Sequence, residues 1–298
     1  MSTYPEIQLG DGTKAPGVAY GVGTSLFRQD CVDEVKRAIA AGFRHFDLAE
    51  IYETTGYVGQ AIRDSGIDPN ELYITTKLGE GLKNIPEAFN KELTALGLDF
   101  VGTLEVHWPH DFPREDFPTM EEAWRQMIEI KKSGKARSIG VSNFRLRDLE
   151  KLKRAFPNPE DWPAVNQIEY HPFLYETTEH VVEYCKEHNI ALAAYSPLAP
   201  ITRFSGGSFD GALEEVTLAV SERFGQKVTS SQVLLKLASQ RGFLVVTTSN
   251  KDSRMKEALA GGALPDLTKE EQEKLVKAAK PSPQRAFPEH MGQLDKEY

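Results

Sequence analysis

Apolar positions along this chain alternate between two periods. From Cys31 to Ala41 the apolar residues Val32, Val35, Ile39 and Ala40 recur at helical spacing; Gly42 then stops the helix, and GFRHFDLA opens an extended run ending at Asp47. The same order returns along the sequence. Extended runs are predicted at 18–22, 72–78, 101–108, 136–142, 164–170, 190–196 and 242–248, and further helices near 54–65, 86–96, 119–133, 145–156, 176–188 and 229–240. With the run ending at Asp47, eight strands alternate with helices. Strands joined through helices run parallel, because each helix carries the chain back to the end of the sheet where the previous strand began. Eight such units predict an α/β fold of the (β/α)8 TIM-barrel type rather than an open doubly wound sheet. Ahead of them, EIQLGDGTKAPG places Asp11-Gly12 between short alternating runs and predicts an N-terminal β-hairpin. The stretch 198–228, with Ser205-Gly206-Gly207-Ser208, exceeds an ordinary connection and is read as a functional loop plus an extra helix at the C-terminal face. The tail from Lys280, with Pro281, Pro283 and Pro288, has no periodicity and is expected over one end of the barrel. Residues 1–298 are thus expected to form a single barrel domain.

Composition narrows the partners. Hydrophobic residues make up 40% and charged residues 27%, enough apolar material for a packed core and too much for a disordered chain. The 44 acidic residues outnumber the 35 Lys and Arg, for a net charge of −9 without a basic stripe. That argues against a nucleic-acid groove or an anionic membrane surface, both of which need clustered cations, and favours small molecules. No apolar run approaches the ~18 residues of a membrane span, and the first residues lack a leader pattern. Cys31 and Cys185 have no CxxC neighbours and suggest no disulfide framework. A cytoplasmic protein is expected, as a monomer or weak dimer.

In a barrel, polar residues at the C-terminal strand ends are the first candidates for chemistry. Here those ends read Asp47, Lys77, His107, Ser142 with Asn143, Gln167, Tyr195, and Thr248 with Ser249. Asp47, Lys77 and His107 each follow an apolar strand, where burial is costly unless they pair with one another; as a cluster around a phenol they make chemical sense. His107 and His110 in HWPHD form a poor metal pair, interrupted by Pro109 and lacking a third ligand, so no metal is expected. Gly21-Val22-Gly23 does not continue as a dinucleotide fingerprint, since position 26 is Leu and no acidic ribose reader follows.

Taken in order, GFRHFDLAEIYETTGYVGQAI, ITTKL, LEVHWP, SIGVSNF, NQIEYHP and YSPLAP resemble the aldo-keto reductase family from about Gln8 to Met255. The resemblance implies NADPH (NADP+) laid across the barrel mouth, NADPH-dependent reduction of a carbonyl substrate, and a catalytic tetrad of Asp47, Tyr52, Lys77 and His107. Tyr52 would be the general acid. A free phenol has a pKa of about 10, which Lys77, held by Asp47, is expected to lower. Neutral His107 would orient the substrate oxygen. The same resemblance assigns cofactor contacts to Gly23, Thr24 and Asp47, the nicotinamide carboxamide to Ser142, Asn143 and Gln167, ring stacking to Tyr195, and further contacts to Ser196 and Leu198. At the adenosine end, VVTTSNKDSRMKE puts Thr248 where many relatives carry Lys. Ser249, Asn250 and Arg254 remain for a 2′-phosphate, Glu257 for adenine, and Ala258 replaces a common Asn; strict preference for NADPH over NADH is left open.

AEIYETTGYVGQAI, TTSNKD and YSPLAP resemble most the fungal α-keto amide or conjugated polyketone reductase branch, implying activated ketones as substrates. Tyr20 and Trp108 are expected as substrate-pocket walls, with Phe112 and Phe117 in the loop beyond. Strand alternation turns Glu105 the same way as His107 but one layer deeper, where it is expected to hydrogen-bond inside the barrel and tune Lys77 or His107. Two other functions are weighed: a non-catalytic NADPH-binding regulatory barrel, and an aldolase using Lys77 as a Schiff-base nucleophile, against which Asp47 would keep the amine protonated.

Overall fold

Apolar strands alternating with amphipathic helices close into a barrel in the computed structural model, which describes residues 3–109, 115–280 and 283–288. The hairpin β1 (Ile7–Gln8) and β2 (Lys14–Ala15) comes first. The barrel strands follow: β3 (Val18–Gly21), β4 (His45–Asp47), β5 (Tyr73–Leu78), β6 (Val101–Val106), β7 (Ala136–Ser142), β8 (Val165–Glu169), β9 (Ala191–Tyr195) and β10 (Phe243–Thr247). All neighbouring barrel strands pair in parallel, and β10 closes on β3. Between them run α1 (Val32–Ala41), α2 (Thr55–Ser65), α3 (Ile85–Leu96), α4 (Met120–Lys132), α5 (Leu146–Ala155), α6 (Tyr175–Glu187), the short α7 (Ala199–Thr202), α8 (Ser208–Phe224) and α9 (Ser230–Gln240). After β10 come α10 (Asp252–Ala260) and α11 (Lys269–Ala279). No helix among the described residues is long and apolar enough to cross a membrane.

The elements end where their chemistry requires. Gly42, at φ 116°, terminates α1 in a left-handed turn that a Cβ would disfavour. Thr119 with Glu122 and Thr229 with Gln232 form capping boxes that start α4 and α9. Helix α8 occupies the stretch expected to hold an extra helix. Helices α10 and α11 were missing from the elements predicted above, although Thr268 and Glu271 form a capping box ahead of α11, and TKEE is a readable start signal.

Strand alternation divides the core. Outward residues such as Phe46, Ile74, Leu104, Ile139 and Phe243 pack beneath the helices, whereas Ala19, Tyr73, Val165, Ala193, Leu244 and Val246 fill the lumen with Leu9 and Ala15 of the hairpin region. The hairpin therefore seals the N-terminal end of the barrel; Asp11 Oδ1 accepts from Ser138 Oγ at 3.1 Å. Chemistry is left to the opposite end.

Tyr20 is not a wall of the substrate pocket. Ala19 takes the inner position, so Tyr20 points outward, edge-on to Phe43 (5.4 Å) and Phe46 (6.0 Å), and its hydroxyl donates to the Ser249 carbonyl at 2.7 Å. Part of the proline-containing tail lies at the C-terminal end, as expected: the Ala286 amide donates to Glu169 Oε1 (2.6 Å), and the Arg285 guanidinium stands 3.5 Å from Glu169 Oε2. Pro281, His110 and Phe112 lie outside the described residues.

Candidate active site

Strands β4 and β5 set an acid and a base on the inner wall. Lys77 is 0% exposed, and its Nζ donates to Asp47 Oδ1 (2.9 Å), Asp47 Oδ2 (2.8 Å) and the Leu48 carbonyl (2.8 Å), which uses all three ammonium protons. Asp47 Oδ1 also accepts from Gln167 Nε2 at 2.8 Å, across the lumen from β8. Tyr52 sits in a one-turn 3-10 helix, Glu50–Tyr52, just past β4. Glu50 Oε2 accepts from the Gly79 and Gly81 amides (3.2 and 2.8 Å) and so ties that turn to the segment leaving β5.

The aromatic groups complete the cluster. Lys77 Nζ lies 5.6 Å from the centroid of the Tyr52 ring, which meets His107 edge-on at 5.9 Å and 81°. His107 stacks on Trp108 at 3.7 Å, with the rings nearly parallel. Sequence periodicity extended the strand to Trp108, but β6 ends at Val106; His107 keeps one ladder contact, its amide donating to the Leu78 carbonyl at 2.9 Å. Gly23 is required by proximity: a Cβ there would stand 2.9 Å from Tyr52 Cζ. Asp47, Tyr52, Lys77 and His107, drawn from three successive strand ends, thus converge.

Burial governs the electrostatics. For Lys77, desolvation opposes the charge, but Asp47, Tyr52 and Glu105 outweigh it and raise the ammonium above its usual range. For Tyr52 the expected lowering does not occur. Desolvation is the largest influence and raises the phenol; Lys77 opposes it, while Asp47 and Glu105 reinforce it. Burial outweighs the pull of Lys77, which Asp47 and Glu105 offset in part. Glu105 is inside the barrel, 1% exposed, and burial lifts it to about 8. The hydrogen bond expected of it is not made by Oε2, which has no partner.

A second network joins the ends of β6 to β9. Asn143, at φ 64°, donates from Nδ2 to the His107 carbonyl and to Ser142 Oγ (both 3.1 Å), while its Oδ1 accepts from the Tyr195 hydroxyl at 2.8 Å. Ser142 Oγ donates to the Gln167 carbonyl at 3.0 Å. Thr24 is exposed beside Gly23; Ser196, at φ 55°, and Leu198 lead into α7. On the flank formed by β10, Thr248 is half-buried, Ser249 Oγ accepts from the Lys251 amide at 3.1 Å, and Asn250 and Arg254 are exposed around the start of α10. Glu257 is turned toward α9, where its carboxylate accepts from Thr229 Oγ1. Phe117 packs against the helix-layer core. Among the described residues, no group of three or more His, Cys, Asp or Glu could hold a metal ion.

Three neighbours escaped the sequence reading. Phe27, 37% exposed, lies 6.2 Å from the Tyr52 ring; its signal was a bulky apolar residue in the polar turn TSLFRQD. Lys251 is exposed just ahead of α10, beside Ser249 and Asn250. Phe287 of the tail lies 6.3 Å from Tyr195 and 5.0 Å from the Arg203 guanidinium, a long-range placement that no local pattern announces.

The profile of the Aldo/keto reductase family matches residues 8–280. The chain is 38% identical over 255 residues to the NAD/NADP-dependent indole-3-acetaldehyde reductase of Schizosaccharomyces pombe, covering 83% of this chain and 86% of that protein. It is 33% identical over 282 residues to the NADPH-dependent alpha-keto amide reductase of Saccharomyces cerevisiae, covering 90% and 88%. A crystal structure of an aldo-keto reductase complexed with NADPH superposes with a TM-score of 0.81 at 26% identity, covering 96% of this chain and 90% of that one.

Proposed function

The chain belongs to the aldo/keto reductase family, and from that premise we propose that it reduces a carbonyl to an alcohol with NADPH, with Tyr52 as the general acid. The observation that carries this reading is the convergence of Asp47, Lys77, Tyr52 and His107 at one end of the barrel.

The residues fit the cofactor at both ends. Ser142, Asn143 and Gln167 gather a hydroxyl and two amides in one hydrogen-bonded patch, into which a carboxamide would exchange for their present partners, and the Tyr195 ring stands beside them. At the far end, Ser249, Asn250, Lys251 and Arg254 surround the start of α10, where backbone N–H groups and two cations favour a phosphate. Bound NADPH supplies the hydride.

The chain's own residues manage the proton. As hydride reaches the carbonyl carbon, the oxygen becomes negative, and Tyr52 donates its proton there. A raised proton affinity suits this direction, because the donor is then fully protonated at neutral pH. Lys77 stabilises the phenolate left behind, and Asp47 fixes Lys77. His107, held between the Tyr52 edge and the Trp108 face, orients the substrate oxygen. Phe27 flanks Tyr52 and Trp108 stacks on His107, so that the two rings offer an apolar wall.

Substrates are activated ketones or aldehydes, a reading supported by the α-keto amide and indole-3-acetaldehyde reductases among the relatives. An aldolase is disfavoured, since a Schiff base needs a neutral amine and every Lys77 proton is engaged. A purely regulatory barrel would have no need of this buried ion pair beside a phenol. One chain supplies the whole cluster, consistent with a monomer or weak dimer, and two buried free cysteines suit the cytoplasm.

The test is NADPH and NADH oxidation with α-keto esters, diketones, aldoses and aromatic aldehydes. Tyr52→Phe should lose about 10²–10⁴-fold in kcat while retaining NADPH affinity. A variant that keeps its rate, or a native chain inert toward the whole panel, would refute the reading.

A further inference from the structure

Glu105 lies beside the reacting groups with one carboxylate oxygen lacking a hydrogen-bond partner. It is in register with Lys77 across β5 and β6, and both side chains point into the lumen. The Lys77 ammonium is fully committed to Asp47 and the Leu48 carbonyl, and Glu105 Oε2 has no hydrogen bond. On the other side its register neighbour is Gly140, where a Cβ would stand 3.3 Å from Glu105 Cγ. A side chain at Gly140 would meet Val165 first and then crowd the Glu105 methylene.

The groups facing it can be named element by element. Strand β5 contributes Tyr73 and Lys77, β4 contributes Asp47, and the turn beyond β4 contributes Tyr52; His107 follows two residues on, just past the end of β6. The inner positions of β7 are Ser138, Gly140 and Ser142, which carry no charge. The one cation in this set is already neutralised by Asp47. An ionised Glu105 would therefore add an uncompensated negative charge.

We propose that Glu105 is a positioning residue that sets the proton affinity of Tyr52 through its own charge: neutral, it leaves the phenol to the Lys77–Asp47 pair; ionised, it adds a negative charge that holds the phenolic proton. The proposal rests on Tyr52 being the proton donor. Burial lifts Glu105 to about 8, with Lys77 opposing and Asp47 reinforcing, and the Glu105 charge in turn raises Tyr52. Each ionisation releases one proton to solvent. As pH rises through about 8, Glu105 gains charge and Tyr52 keeps its proton to higher pH. Reduction, which needs the phenol, is extended into the alkaline range; alcohol oxidation, which needs the phenolate, is suppressed there.

Glu105→Gln preserves the shape of the neutral acid and removes its charge. Reduction and oxidation are measured as kcat/KM against pH for both proteins. In the variant both alkaline limbs should move to lower pH by on the order of one unit, the effect of one charge acting across ~10 Å at an effective dielectric of ~20. Below neutrality the two proteins should coincide. A merely structural Glu105 would lower the rate alike at every pH, and superimposable profiles would overturn the proposal. Two measurements do not need turnover. The tyrosinate absorbance of the native background minus that of Tyr52→Phe reports the same affinity, and Glu105→Gln must lower it. If the variant does not fold, infrared titration of the native chain decides: a protonated-carboxyl band must persist at neutral pH and vanish as pH rises through about 8. Its absence at neutral pH would overturn the proposal. A native chain that reduces no carbonyl defeats the functional reading instead, and is thereby distinguished from failure of this one.

Discussion

Removing the Asp47 carboxylate strands the Lys77 ammonium where water does not reach. Three oxygens surround Nζ at 2.8 to 2.9 Å, and Asp47→Ala takes away two of them together with their negative charge. Breaking a buried pair from one side typically costs about 3–5 kcal/mol, because the remaining charge stays desolvated and uncompensated. Lys77→Met leaves the carboxylate in the same position; it keeps the Gln167 amide at 2.8 Å, which places its cost near the lower end of that range. The double variant buries no ion at all. Its remaining penalties are a small cavity and the lost acceptor for Gln167, about 1–3 kcal/mol. The double variant should therefore be more stable than Asp47→Ala alone, with a coupling of several kcal/mol. Urea unfolding of the native chain, both single variants and the double variant, followed by tryptophan fluorescence and circular dichroism, measures all four corners of the cycle. All three variants should be inactive, so stability alone carries the information. Losses in the double variant that equal the sum of the single losses within about 0.5 kcal/mol would show that the two charges do not depend on each other.

Gly23→Ala puts a methyl 2.9 Å from Tyr52 Cζ, so the phenol must shift. Stability should fall by about 1–3 kcal/mol and kcat by about tenfold or more; unchanged thermal denaturation together with an unchanged rate would show that Gly23 does not position the ring. Arg254→Ala should weaken NADPH binding by about 10- to 100-fold while leaving NADH nearly untouched, as read by fluorescence titration, because only the former carries the phosphate that a guanidinium would hold. Equal weakening of both nucleotides would remove Arg254 from phosphate recognition.

Much of the barrel was legible before any coordinates. The segments around 72–78 and 164–170 are short and apolar, those at 119–133 and 229–240 carry helical stripes and capping residues, and each fell within a residue or two of β5, β8, α4 and α9. Local periodicity and capping are properties of neighbouring residues, so a sequence displays them directly. The strand-end residues Asp47, Lys77 and His107 could be singled out for the same reason, since a charged or polar group closing an apolar strand is a local anomaly.

Other features were decided by packing. Tyr20 reads as an aromatic at a barrel mouth, yet alternation within β3 turns it outward onto Phe43 and Phe46, and a single residue of register determines which face it takes. The proton affinity of Tyr52 depends on how completely Asp47 cancels Lys77 and how deeply the ring is buried, quantities that arise only when distant strands meet. Likewise the sequence marked Glu105 as odd, but its unpartnered oxygen beside a committed lysine is a tertiary fact. Periodicity and motif order by themselves determined the succession of barrel strands and the helices between them, the barrel class and the identity of the polar strand ends. Only the closed barrel decided which side chains face inward and what charge each can carry, because facing and desolvation are set by contacts across the lumen rather than along the chain.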